Sequence, residues 1–207
     1  GIDILCSGAA LLILSPLLVV IALAIRLYDG GPALYSQIRL TKGHKLFRIY
    51  KFRSMVIDAE KDGARMASQN DSRITPVGKI IRATRLDELP QLLNILKGDM
   101  TIVGPRPERP ELEEEYIREL PEFGMRLQVK AGLTGYAQVF GKYNTTPEDK
   151  LKLDLLYINQ RSLILDLKLI LYTVKIMFIP ESTEGVAEGQ RTAMNKEIED
   201  ETVKGEK

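Results

Sequence analysis

Asp87 and Glu88 are adjacent acids in a stretch, residues 81–107, that also carries Arg82, Arg85 and the run GPRP at 104–107. Leu89, Leu92, Leu93 and Leu96 recur at helical spacing, Pro90 suits a first turn, and Gly98 suits a C-terminal stop, so the acids stand where a helix begins. A helix start offers free N–H groups and a positive dipole end, which attract phosphate and keep a carboxylate ionised, and an ionised carboxylate can act as a nucleophile. It approaches a diphosphate only when cations lower the repulsion. Lys51, Arg53, Arg82, Arg85 and Arg106 are candidates for that task, as is Mg²⁺ held through oxygen ligands. A plainer reading competes: Asp87, or Thr84 three residues earlier, is an N-cap contributing about 1 kcal/mol. That would account for one acid, but not for Glu88, the arginines and GPRP together.

The elements that must position these residues begin with residues 4–25, which carry no charge and are long enough to cross a bilayer as a helix. Ser15-Pro16 interrupts this run, because proline removes a backbone hydrogen bond, while Ser15 can help satisfy the groups so freed. Two topologies stay open on this pattern: a kinked spanning helix, or one that dips in and returns to the same face. Beyond it lie Arg26, Arg39, Lys42, Lys45, Arg48, Lys51 and Arg53, a concentration that places the region on the cytoplasmic side. Two short strands around Lys42-Gly43 are predicted, with Lys51 and Arg53 on one face of the second. Beside a membrane segment, a cation-ringed carboxylate points to phosphoryl chemistry on a lipid.

Composition narrows the rest. A chain of 207 residues can bury one core, and a net charge of +1 gives no global reason to bind nucleic acid. Cys6 is the only cysteine and excludes an intrachain disulfide; His44, the only histidine, reads as a hairpin tip. Residues 58–71 read as loop or short helix. Between Glu108 and Arg126 an acidic amphipathic helix is expected, its glutamates facing water. Thr146, Pro147, Glu148 and Asp149 form a helix start, and 162–179 form an apolar helix that is either core or interfacial. From Glu181 onward the composition is that of a disordered tail. With Gly1 in place of an initiator Met, the expectation is a processed or truncated piece of something longer.

The motifs, in order, are Ser15-Pro16, "IYKFRSM", "VGKIIRATRLDELPQLLNILKGDMTIVGPRP", "GLTGYAQVFG" and "LDLKLILYT". They resemble those of the bacterial sugar transferases, monotopic polyprenyl-phosphate phosphoglycosyl transferases that start glycan assembly; "GPRPERPEL" is similar to the larger members. The resemblance implies transfer of a hexose-1-phosphate from a UDP-sugar to undecaprenyl phosphate with release of UMP, as the first membrane step of exopolysaccharide, capsule or O-antigen assembly. It further implies Mg²⁺ and an Asp-Glu dyad matching Asp87 and Glu88, with Asp87 as nucleophile and Glu88 as base or metal-positioning group, both near the metal. Lys51, Arg82, Arg106 and Arg85 are the phosphate-binding candidates. The family's apolar helix enters and leaves by the cytoplasmic face, broken at the position of Ser15-Pro16. Two departures, Ala131 before Gly132 and Tyr136 where many members have Trp, bear on loop shape and on nucleotide or sugar preference.

The fold expected is α/β, mainly helical with a small β-hairpin: a re-entrant helix at 1–28, a cytoplasmic catalytic domain with amphipathic interfacial helices at 29–180, and the tail at 181–207. Its place is the cytoplasmic face of the bacterial inner membrane, with a homo-oligomer among the assemblies open to it. The rival readings are a membrane-attached anion-binding scaffold without turnover, and an ordinary glycosyltransferase releasing UDP.

Overall fold

The computed structural model describes residues 1–59, 71–141 and 145–177; the expected tail and most of the 58–71 connection lie outside them. Helix α1, Ile2–Asp29, runs unbroken through Pro16, so the break expected at Ser15-Pro16 is not found. Proline leaves the carbonyl of Leu12 without its N–H partner, and the Ser15 hydroxyl donates to that same oxygen at 2.8 Å. The helix stops at Gly30, in the left-handed region (φ 73), whose N–H bonds back to Arg26.

One face of α1 lies on the rest of the protein. Ala10, Leu11 and Leu14 pack on one core cluster, and Leu18, Ile21, Ala22 and Ile25 on another. Both ends are tied down: Asp3 accepts a hydrogen bond from Thr101 at 2.6 Å, and Asp29 accepts two from Arg53 at 2.6 and 2.5 Å. The other face, with Leu5, Leu12, Ile13, Val20, Leu23 and Leu27, is exposed. Among the described residues α1 is the one helix long and apolar enough to cross a membrane.

Strands β1 (Leu34–Thr41) and β2 (Lys45–Phe52) form the expected antiparallel hairpin, in register from Leu34↔Phe52 to Thr41↔Lys45. The tip at Lys42–His44 holds Gly43 and His44 at φ 69 and 61, so His44 is where the turn reading put it. Helix α2 (Pro76–Ala83) leads to a 3-10 segment, Leu86–Gln91, and then to α3, Leu92–Leu96. The Asn94 side chain, fully buried in α3, accepts from Tyr50 N–H at 3.0 Å and donates to Arg48 C=O at 2.8 Å. It thereby satisfies the free edge of β2 and fixes α3 to the strand that carries Lys51.

A second, unforeseen sheet pairs β3 (Thr101–Val103) with β4 (Gly132–Thr134) in parallel. Between them lie α4, Pro110–Glu119, and a 3-10 segment, Pro121–Gln128, so the single helix expected over this region is divided at Leu120. Helices α5 (Tyr136–Phe140), α6 (Pro147–Gln160) and α7 (Leu163–Met177) complete the described chain. Thr146 caps α6 as its sequence implies, accepting from Asp149 N–H at 3.2 Å. Leu169 of α7 is fully buried, while Leu163, Ile164, Leu167, Leu171 and Val174 form a bare apolar stripe on its other side. The architecture is mostly helical, with two small sheets and an apolar N-terminal helix lying along it.

Candidate active site

The 3-10 segment carries the dyad, and the residue at its N-cap is Arg85, in the left-handed region at φ 54 without a side-chain cap. Neither Asp87 nor Thr84 caps it, so the plainer reading of the acids fails: Thr84 instead bonds back to Ile80 of α2 at 2.8 Å. A non-glycine residue in this conformation costs about 1 kcal/mol or more. What it does here is reverse the chain between α2 and the 3-10 segment, which brings Arg82, in the last turn of α2, near Asp87.

The two acids differ in their surroundings. Glu88 Oε1 meets Lys51 Nζ at 2.6 Å and Arg106 Nη2 at 2.9 Å. Burial alone would raise its pKa, but Arg106 and Lys51 outweigh that and hold the carboxyl well below the usual range. Asp87 has no hydrogen bond or ion pair among the described residues. Burial and the Glu88 charge push its pKa up to about 6, against the pull of Lys51, Arg82 and Arg106. Arg85 joins the same group of charges, its pKa lowered by burial and by Arg106 against the pull of Glu88 and Asp87. The structure thus brings together Lys51, Arg82, Arg85, Asp87, Glu88 and Arg106. It removes Arg53 from them, because that guanidinium donates to both Asp29 oxygens and, at 2.7 Å, to the carbonyl of Pro32.

Arg106 reaches Glu88 from a loop fixed on every side. Gly104 N–H bonds to Thr134 C=O and Gly132 N–H to Pro105 C=O, each at 2.8 Å. This close approach needs glycine, since a Cβ at Gly132 would lie 2.1 Å from Gly104 N. Arg126, fully buried, donates to the carbonyl of Arg106 at 2.8 Å and to Asp154 of α6 at 2.6 Å, with Glu113 of α4 at 3.5 Å. Two residues past Arg106, Glu108 pairs with Lys150 of α6 and accepts at its backbone from Leu40 N–H at 3.1 Å. Burial would raise the Glu108 pKa, but Lys150 and Arg126 bring it down to about 2.

Glu113 therefore does not face water as its helix pattern suggested; it is 1% exposed, and burial pushes its pKa up to about 7. Sequence reading passed over Arg126, Asp154 and Asn94, although a signal was there. Asp154 falls between Leu151 and Tyr157 on a buried stripe, and Arg126 between Phe123 and Leu127. Opposite charges inside two apolar stripes must find each other.

A partly buried carboxylate without a partner, beside a second one clamped by cations, defines a class of site suited to phosphate esters. Comparison with known proteins agrees. The model of the family described as bacterial sugar transferase matches residues 1–180, and the chain belongs to that family. It is 43% identical to the UDP-N-acetylgalactosamine-undecaprenyl-phosphate N-acetylgalactosaminephosphotransferase of Aeromonas hydrophila, over 84% of this chain and 42% of that protein. It is 41% identical to the UDP-glucose:undecaprenyl-phosphate glucose-1-phosphate transferase of Klebsiella pneumoniae, over 87% of this chain and 40% of that protein. With the exopolysaccharide production protein PSS of Rhizobium leguminosarum bv. phaseoli it shares 38% identity, over 88% of this chain and 94% of the relative. The chain thus spans less than half the length of the first two.

Proposed function

We propose that this chain is a phosphoglycosyl transferase, moving a hexose-1-phosphate from a UDP-sugar to undecaprenyl phosphate with release of UMP at the cytoplasmic face of the inner membrane. The names of its relatives support the donor and acceptor classes. The observation that carries the chemistry is the asymmetry of the dyad: Glu88 is held by Lys51 and Arg106, while Asp87 beside it is unpartnered. Asp87 is the nucleophile. Its carboxylate oxygen bonds to the β-phosphorus, the bond from the β-phosphorus to the bridging oxygen breaks, and that oxygen leaves on the α-phosphate as part of UMP, with the electron pair. An oxygen of the lipid phosphate then attacks the same phosphorus and releases Asp87. Lys51, Arg82, Arg85 and Arg106 offset charge on the phosphoryl oxygens, and Glu88 keeps Lys51 and Arg106 aimed at them.

Among the described residues no cluster of three or more acids, histidines or cysteines is placed to hold a metal. Mg²⁺ does not require one, since it is bound through one or two carboxylates with substrate phosphates and water completing its shell. The unpartnered Asp87 carboxylate, with Glu88 adjacent, fits that half-site. When bound, Mg²⁺ would neutralise charge on the diphosphate.

Contact of α1 with lipid from the domain's own side of the membrane is supported by its two ends, Asp3 on Thr101 and Asp29 on Arg53, being tied to the same domain, although the helix shows no break at Pro16 of the kind a return to the same face was expected to use. Its bare face and the stripe on α7 are then the lipid-contacting surfaces. The test is a panel of UDP-sugars offered with undecaprenyl phosphate, with nucleotide products separated. UMP is expected; UDP would make this an ordinary glycosyltransferase, and no nucleotide release would leave only a scaffold.

A further inference from the structure

Arg39 stands outside every role described so far. It lies on the hairpin face shared by Gln37, Phe47, Ile49 and Lys51, and its Nη2 donates to the Gln37 amide oxygen at 2.7 Å. Its Nε is buried without a hydrogen-bond partner. The next residue along the strand, Leu40, is bonded to the backbone of Glu108, which sets Arg39 against the loop that presents Arg106. Around it are Arg106 and Arg109, with Glu108 as the opposing charge. Glu108, however, already pairs with Lys150.

The protein itself shows what a structurally committed arginine looks like. Arg53 donates to both oxygens of Asp29 and to a carbonyl; Arg126 takes Asp154, a carbonyl and the vicinity of Glu113. Arg39 has one neutral amide acceptor and no ion pair among the described residues, in a place where burial and two neighbouring arginines pull its pKa down to about 10. A largely enclosed guanidinium with an unused donor and like charges beside it is short of an anion.

Building on the reaction proposed above, we infer that Arg39 binds the α-phosphate of the nucleotide, the group that leaves as UMP. When the bridging bond breaks, the electron pair stays on that phosphate, and its charge grows by one. Arg106 serves the phosphorus attacked by Asp87, and Arg39, close enough to Arg106 to feel its charge, serves the neighbouring one. Gln37 fixes the plane of the Arg39 guanidinium for this contact.

The experiment measures binding of UMP and of uridine by calorimetry to the whole chain in detergent, as wild type, Arg39→Gln and Arg39→Lys, with thermal unfolding as a control for folding. Arg39→Gln should weaken UMP at least tenfold and leave uridine unchanged, because only UMP carries the phosphate. Arg39→Lys should lose threefold or more for UMP alone, since it keeps charge without the fork, and it decides the matter if the Gln variant fails to fold. A folded Arg39→Gln protein that binds UMP within twofold of wild type overturns the inference, as does an equal loss for UMP and uridine. Wild-type protein that releases UMP in turnover yet shows no Arg39 effect would leave the reaction standing and remove only this contact; wild type that neither binds nor releases UMP removes both.

Discussion

Two clusters of acids and cations lie on either side of the loop at 104–109, and they use charge in opposite ways. In front, Lys51, Arg82, Arg85 and Arg106 outnumber Asp87 and Glu88, and one acid has no partner. Behind, Arg126 and Lys150 face Glu108, Glu113 and Asp154, and each cation is consumed in joining α4, α6 and the loop. A surplus of positive charge at a partly open site is capacity for an anionic ligand. A buried set in which cations are spent holds geometry instead. The loop carries one into the other, since Arg126 grips the carbonyl of the residue whose side chain reaches Glu88.

The sharpest way to break this division is Asp87→Asn. If the front cluster is chemical, wild type without lipid acceptor exchanges labelled UMP into UDP-sugar, and the variant loses that exchange by about 10⁴-fold. Stability at neutral pH should not fall and should rise, because no partner is lost and the burial that raises the Asp87 pKa no longer opposes an ionised group. Surviving exchange in a folded variant would reduce the front cluster to another structural one.

The back cluster should respond in reverse. Arg126→Met removes the partner of Asp154, and breaking a buried pair from one side costs about 3–5 kcal/mol. Denaturant unfolding would read this directly, and a loss under about 1 kcal/mol would show that the cluster does not hold the fold. Any surviving activity should show lower kcat, because the Arg106 backbone has lost its support.

How legible this was from the sequence follows the same division. The front residues are close in the chain or set by local rules: the turn between α2 and α3, the hairpin that aims Lys51, the GPRP loop. The α6 cap, the Gly98 stop, at φ 81, and the role of Ser15 at Pro16 were local too. What could not be read were partnerships across long separations. Arg53 has the strand spacing of a site residue, and only the return of α1 gives it Asp29. Glu113 sits in a run of glutamates that looks solvated until the 3-10 segment folds Arg126 over it. The parallel pairing of β3 with β4 depends on Gly104 and Gly132 meeting across about thirty residues, for which a three-residue strand leaves little pattern.

Within the front cluster the cations should be graded. Arg106→Ala and Arg82→Ala are expected to lose about 2–4 kcal/mol of transition-state stabilisation, with Lys at position 106 recovering part of it. Arg106→Ala also releases one of the two clamps on Glu88, so its effect should be the larger of the two. Steady-state kinetics of the folded variants checks this, and near-normal kcat/KM for Arg106→Ala would place the phosphates elsewhere.

The mildest probe is pH, and it separates the clusters by which acid titrates. Glu113 has its pKa raised by burial to about 7, from 4.5 when unfolded, so the folded protein holds its proton through a range where the unfolded chain releases it. Its contribution to stability is complete below about pH 4.5 and is lost as pH rises through about 7, a change of at most about 3 kcal/mol. Asp154 acts in the same sense, whereas Glu108, held near 2, weakens the fold only as pH falls below about 4.5. Asp87, at about 6, adds to the decline over a lower range. Glu113→Gln should therefore stay as stable at pH 8 as at pH 6, apart from the slope left by Asp154, while wild type declines between those values. Unfolding midpoints at pH 5, 6, 7 and 8 would show it. Asp87→Asn should instead flatten the range from about pH 4 to 6 and leave the upper limb in place. Identical pH profiles for wild type and Glu113→Gln would mean that Arg126 holds Glu113 ionised, and that the back cluster is a complete ion network rather than one relieved by a proton.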